Sequence, residues 1–441
     1  MAMTNAFSQS DMNNLSERDR TLVERRARIL GPAYRLFYQN PVNIVRGEGV
    51  FLEDADGKRY LDAYNNVASV GHCHPAVVEA ITRQTAVLNT HTRYIYEPLL
   101  DYAEDLISTF PVHLGQIMLT CTGSEANDLA FRLAKSVTGG TGVIVTDLAY
   151  HGLTNAVSEF SPSLGAFVDL GAHVRTVPAP DAYRTSSASL GETFKADVER
   201  AIAGMKRHGI KPAMLIVDAI FSSDGIFAEP AGFLKGAVDA IHAAGGLFVA
   251  DEVQPGFGRT GDSMWGFERH GILPDLVTLG KPMGNGYPVA GLVARPEIIA
   301  DFGEKARYFN TFGGNPVAVA AGHAVLKVIR DERLIDNAKN TGALIRKGIA
   351  EIATRRASIG DVRGAGLFIG IEIVSDREKK TPDGAMTTRI VNELRHRGVL
   401  ISSAGPKANV LKIRPPLPFG PAHAGQLLTI LDETIGALEA R

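Results

Sequence analysis

What most constrains this chain is an alternation, beginning near Pro75, between helical stretches and short apolar runs at residues 116–121, 142–147, 213–220, 246–251 and 273–279. Such runs lack polar-apolar alternation, so both faces of each must be covered. A mostly parallel sheet with crossover helices on either side does this. The expected architecture is therefore α/β. In such sheets ligands bind beyond the carboxyl ends of the strands, which makes the polar residues after each run the candidates for function. They are Thr122-Gly123-Ser124-Glu125, then Thr146-Asp147 with Tyr150-His151-Gly152, then Asp251-Glu252, and finally Lys281.

Outside these repeats, residues 50–62 read as an edge hairpin around Asp54-Ala55-Asp56-Gly57, where Gly57 supplies the freedom a tight turn needs. Beyond about Val325 come amphipathic helices, an apolar stretch at 366–373 and the Pro-rich Arg414-Pro415-Pro416-Leu417-Pro418. The 441 residues exceed what one core usually holds, roughly 250–300. We expect a large domain over 70–325 and a smaller α+β domain formed by 1–69 and 326–441.

Composition removes several function classes. Hydrophobic residues at 45% and charged residues at 21% fit a folded globular enzyme rather than a disordered chain. A net charge of -2 lacks the basic excess that phosphate neutralisation demands, so nucleic acid is not an expected partner. Cys73 and Cys121 provide no disulfide framework. The polar start at residues 1–19 lacks the apolar stretch of a secretory signal, and no apolar run approaches the roughly 20 residues that span a bilayer. A cytoplasmic enzyme without membrane contact is expected.

The strand-end residues differ in how much each says. Thr122-Gly123-Ser124-Glu125 opens a helical stretch at 126–136, so its amides would lie at a helix N-terminus suited to phosphate, although a plain helix cap reads the same way. The pair Asp251-Glu252 runs into the Gly-rich segment 256–261. A carboxylate at a buried strand end needs a dedicated partner, either a pyridinium nitrogen or an arginine. Lys281 follows an apolar run and precedes Pro282-Met283-Gly284-Asn285-Gly286, the place for a Schiff-base lysine with a lowered pKa, while a single lysine is ordinarily solvated charge. Phosphate turn, acid and lysine at separate strand ends favour the functional reading together. Gly71-His72-Cys73-His74-Pro75 has too few spaced ligands for zinc and reads as a turn into a helix, so no metal is expected. Residues 364–370 do not match a dinucleotide fingerprint.

From about Gly31 onward the chain resembles the class III aminotransferases, pyridoxal 5'-phosphate enzymes of fold type I. The resemblance rests on Gly123-Ser124-Glu125-Ala126-Asn127, Tyr150-His151-Gly152, Asp251-Glu252-Val253-Gln254, Gly256-Phe257-Gly258-Arg259, Lys281 and Asn310-Thr311-Phe312-Gly313-Gly314-Asn315-Pro316. It implies that Gly123 and Ser124 bind the cofactor phosphate, Tyr150 stacks on its ring and His151 joins the cofactor site. It further implies that Asp251 pairs with the ring nitrogen, Val253 packs beneath the ring, Gln254 approaches the phenolic oxygen and Lys281 holds the cofactor as an aldimine. Lys281, Asp251 and Tyr150 would be the catalytic set. Thr311 would contact the phosphate in a neighbouring subunit, which implies a homodimer, or a tetramer built from it, with shared active sites.

Segments 65–75 and 360–370 resemble the branch holding alanine-glyoxylate-type aminotransferases and ethanolamine-phosphate phospho-lyases. In the first, an amino group moves from an amine or amino acid to a keto acid such as pyruvate; in the second, phosphate leaves an O-phosphorylated amine. Arg414 falls where the family's carboxylate-binding arginine lies, and its planar guanidinium can clamp a carboxylate with two parallel hydrogen bonds. This favours the transaminase. Two places depart from the family pattern: Asp218-Ala219 replaces a Glu-Pro pair, and Ser223 replaces a gating glutamate. Ser223, with Ser222, and Asn66 are expected to meet the substrate.

Overall fold

The computed structural model describes residues 5–440. Its centre is a seven-stranded sheet of β1 (Gln116–Thr120), β2 (Gly142–Thr146), β3 (Val174–Val177), β4 (Pro212–Val217), β5 (Leu247–Asp251), β6 (Leu276–Leu279) and β7 (Ala290–Ala294), in the order β1-β7-β6-β5-β4-β2-β3. Only β7 runs against its neighbours, so the carboxyl ends of the other six share one edge. Every residue of β2, β4, β5 and β6 is buried, as continuous apolar runs require.

Each of the five runs becomes a strand, with ends shifted by up to three residues. Sequence reading missed the other two for different reasons. β3 is an edge strand whose middle residues, Arg175 and Thr176, are half-exposed, so it never forms an apolar run. β7 is Ala-Gly-Leu-Val-Ala, whose small residues are weak strand formers, and pairing on both sides holds it in place.

The N-terminal hairpin, Phe51–Asp54 with Arg59–Asp62, is present and extends to Ile44–Glu48 on one side. On the other side Arg59–Asp62 pairs in parallel with Val399–Leu400, so the two ends of the chain meet in one sheet. The strands Ile359–Ala365, Phe368–Asp376, Val410–Ile413 and Ser402–Ala404 form a separate antiparallel sheet. The junction expected after Val325 falls inside the helix Pro316–Asp331. His72 and His74, neighbours in sequence, are committed apart: His72 pairs with Asp62 at 2.7 Å, and His74 with Glu332 at 2.9 Å.

Candidate active site

At the carboxyl edge of the sheet several loops enclose a cavity of about 250 Å³. One wall is the start of helix α1 (Gly123–Thr138), where the Thr122 hydroxyl accepts the Glu125 N–H at 3.2 Å. Gly123 and Ser124 lie in the first turn, whose amides have no intrahelical acceptor, and they line the cavity at the positive end of the helix dipole. The segment Tyr150-His151-Gly152 lies against this turn. Leu153 donates its N–H to Ser124 Oγ at 3.2 Å, and a Cβ added to Gly152, at φ +143°, would come 2.6 Å from that oxygen. Only glycine permits that approach.

Opposite stands Asp251, 4% exposed at the end of β5. Its Oδ2 accepts from His151 Nδ1 at 2.7 Å and Asn127 Nδ2 at 3.0 Å, and its Oδ1 accepts from the Val253 N–H at 3.1 Å. The carboxylate is thereby fixed from three sides. Parallel register pairs Asp251 with Thr278, so Lys281, just past the end of β6, emerges beside it. No hydrogen bond or ion pair to any described residue holds its amine, and its backbone sits at φ +24°, where side-chain-bearing residues are uncommon. Burial, then the nearby Arg414 charge, lowers its pKa below the ordinary lysine value, against opposing pulls from Asp251 and Asp218. The shift eases loss of the proton that masks the nucleophilic lone pair.

A third group enters from the antiparallel sheet. Arg414 follows Val410–Ile413, is 7% exposed, and anchors its N–H on the Ala63 carbonyl at 2.9 Å. Its guanidinium lies over the Tyr64 ring, 4.3 Å from the centroid, and Nη1 donates to Gln254 Oε1 at 2.5 Å. Asn66 donates to the same oxygen at 2.7 Å. Among the described residues no carboxylate pairs with Arg414.

These elements decide the family, because the chain matches the class III aminotransferases over residues 35–435. It belongs to that family. It is 40% identical over 432 residues to the alanine-glyoxylate aminotransferase 2-like protein of Drosophila melanogaster, covering 94% of this chain and 87% of the relative. It is 36% identical over 434 residues to the ethanolamine-phosphate phospho-lyase homolog 1 of Caenorhabditis elegans, covering 94% and 93%. Among solved structures it superposes on an Arthrobacter phospholyase in complex with phosphoethanolamine with TM-score 0.91 and 45% identity, covering 94% of this chain and 99% of that one.

The class III enzymes depend on pyridoxal phosphate, and the cavity fits that group. It offers helix-terminal amides for a phosphate, a carboxylate for a ring nitrogen and an unpaired lysine for an aldehyde. Gly123 and Gly280 keep one wall close: a Cβ on Gly123 would meet Val253 Cγ2 at 3.0 Å.

The expected residues are not all equally placed. Gly123, Ser124, Tyr150, His151, Asp251, Val253, Gln254 and Lys281 all line the cavity. Tyr150 is 37% exposed at its mouth, and burial raises its phenol pKa. The His151 imidazole is turned onto Asp251, and its Nε2 is buried without a partner. Asn66 and Arg414 reach the site through Gln254. Ser223 is not in the wall; its carbonyl accepts the Gly405 N–H at 3.1 Å. Thr311 is exposed on this chain's surface.

Sequence reading gave no role to two residues here. Asn127 bridges Asp251 and the His151 carbonyl, a role visible only once α1 and β5 are packed. Asp218 lines the cavity and accepts the N–H groups of Ile220 and Ser222, both at 3.0 Å, while burial raises its pKa. Asp218 lies inside the apolar run 213–220, and its place just past a strand end shows only once β4 is seen to stop at Val217. Glu252, read alongside Asp251, instead ties down a loop: its oxygens accept from Gly266 at 2.7 Å and Phe267 at 2.8 Å.

Proposed function

We propose that the protein is a transaminase that moves an amino group from a carboxylate-bearing amine to a keto acid such as pyruvate. The observation that carries this reading is Arg414, a buried guanidinium bonded to Gln254 of the cavity wall, with no carboxylate partner among the described residues. A buried cation calls for a counter-charge, and a substrate carboxylate supplies one through two parallel hydrogen bonds.

Pyridoxal phosphate supplies an electron sink for charge developing at the carbon that bears the amine. The amides of Gly123 and Ser124 would hold its phosphate, and Asp251, steadied by His151 and Asn127, would receive its ring nitrogen. Val253 and Tyr150, both in the cavity wall, would pack against the ring. Lys281 Nζ, whose pKa burial lowers, would take the proton from the substrate carbon and hold it for return. Arg414 fixes the carboxylate and so sets which bond faces Lys281.

Phosphate elimination from an O-phosphorylated amine is the second reading. Likeness to the Arthrobacter phospholyase favours it. Purified enzyme mixed with an amino acid should lose its cofactor absorbance, and a keto acid should restore it. Inorganic phosphate released from phosphoethanolamine, with no amino transfer to any keto acid, would falsify the first reading in favour of the second.

The working form we propose is a homodimer. Exposed Thr311 lies beside Phe309, 41% exposed, and Phe312, 68% exposed, with Tyr94 and Ile95 at 67% and 97%, an apolar surface that a second copy would cover. Residues 70–325 would form one domain and the two chain ends the other, as their shared sheet supports. Among the described residues no helix is long and apolar enough to cross a membrane, and a cytoplasmic location is proposed.

A further inference from the structure

Arg414 is held in an unusual way for a buried cation. Among the described residues its one side-chain hydrogen-bond partner is the neutral Gln254 Oε1, and that oxygen also receives Asn66 Nδ2. Arginine can only donate, so the amide oxygen of Gln254 must face it, and the orientation of Gln254 follows from chemistry. Two further polar atoms at this junction, Arg414 Nε and Asn66 Oδ1, are buried without a partner among the described residues. The guanidinium therefore keeps unused donor capacity while its position is set by Gln254 and the Tyr64 ring. Ser223, where the resemblance places a gating carboxylate, carries no charge and uses its carbonyl on Gly405.

We propose that Gln254 is a specificity-determining residue: it positions Arg414 without neutralising it, so the site retains a standing preference for substrates with an anionic group. This deepens the reading of Arg414 given above and rests on it. A carboxylate in place of the Gln254 amide would pair with the guanidinium at the same distance, and an incoming anion would have to displace it. A neutral partner imposes no such competition, and Arg414 can keep its bond to Gln254 while its remaining donors take the anion. Gln254 lines the same cavity as Lys281, so the residue that anchors Arg414 borders the pocket of the reacting amine.

The test compares Gln254→Glu with Gln254→Met in the holoenzyme, using propionate, an unreactive carboxylate, as the calorimetric probe. Gln254→Glu should raise the propionate dissociation constant about tenfold or more, the scale of a competing ion pair. The neutral Met variant should raise it only a few-fold. The kcat/KM ratio of a carboxylate-bearing amine to an uncharged amine of similar size should fall in the same order. Wild-type propionate affinity in Gln254→Glu, or equal weakening in both variants, overturns the proposal. If Gln254→Glu does not fold, Asn66→Asp brings a charge to the same junction and should weaken propionate likewise; unchanged affinity there also overturns it. A wild-type enzyme that releases phosphate and never transfers an amino group would sink the transaminase reading while leaving this comparison intact.

Discussion

Asn127→Ala should show how much of the site depends on a residue that touches neither phosphate nor lysine. Asn127 Nδ2 makes two bonds, to Asp251 Oδ2 at 3.0 Å and to the His151 carbonyl at 2.6 Å. Asp251 is 4% exposed and His151 4% exposed, so water cannot replace the lost donor without opening the site. Losing a hydrogen bond to a charged group costs about 1.5–3 kcal/mol, and losing one to a neutral carbonyl about 1 kcal/mol. The expected loss of stability is therefore about 2.5–4 kcal/mol, read from urea unfolding of the cofactor-free protein. Asp251 would retain His151 and the Val253 N–H, so the cofactor should still bind, more weakly. A loss under about 0.5 kcal/mol, the range of ordinary surface changes, would refute the claim that Asn127 fixes Asp251.

Further predictions concern the lysine, the arginine and one glycine. Lys281→Ala should abolish turnover with circular dichroism unchanged, and wild-type rates in that variant would contradict its role. Because burial lowers the Lys281 pKa, the unfolded chain binds this proton more tightly than the folded one, so its stability contribution rises with pH between the shifted value and the ordinary 10.5. Wild type should thus gain on Lys281→Ala in unfolding free energy across that window, and a gap that shrinks as pH rises would show the shift has the opposite sign. Arg414→Ala should lower kcat/KM for carboxylate-bearing amines by about 30-fold or more, as loss of a buried bidentate pair implies, and equal losses for uncharged amines would count against the clamp. Gly152→Ala meets both a φ of +143° and an overlap with Ser124 Oγ. It should weaken cofactor binding about tenfold or more by fluorescence titration, a strain of about 1–3 kcal/mol; unchanged affinity would mean the loop moves freely.

The sequence by itself determined the layered architecture and the strand ends that line the cavity. Continuous apolar runs can only be buried on both faces, so a parallel sheet followed from their spacing, and the turn at Gly123, the acid at Asp251 and Lys281 followed from sitting where such sheets bind ligands. Local pattern failed where neighbours rather than composition make the strand, as with Val174–Val177 at the edge and Ala290–Ala294 between two partners. The tertiary structure alone decided which side chains meet. Asn127 and Asp251 are 124 residues apart, and Gln254 and Arg414 are 160 apart, and neither pair has any periodic signature. Residue type announced an acid and an arginine. Only packing showed that the acid is held from three sides and the arginine by a neutral amide, because hydrogen-bond partners are chosen by proximity in the fold, which pattern along the chain does not encode.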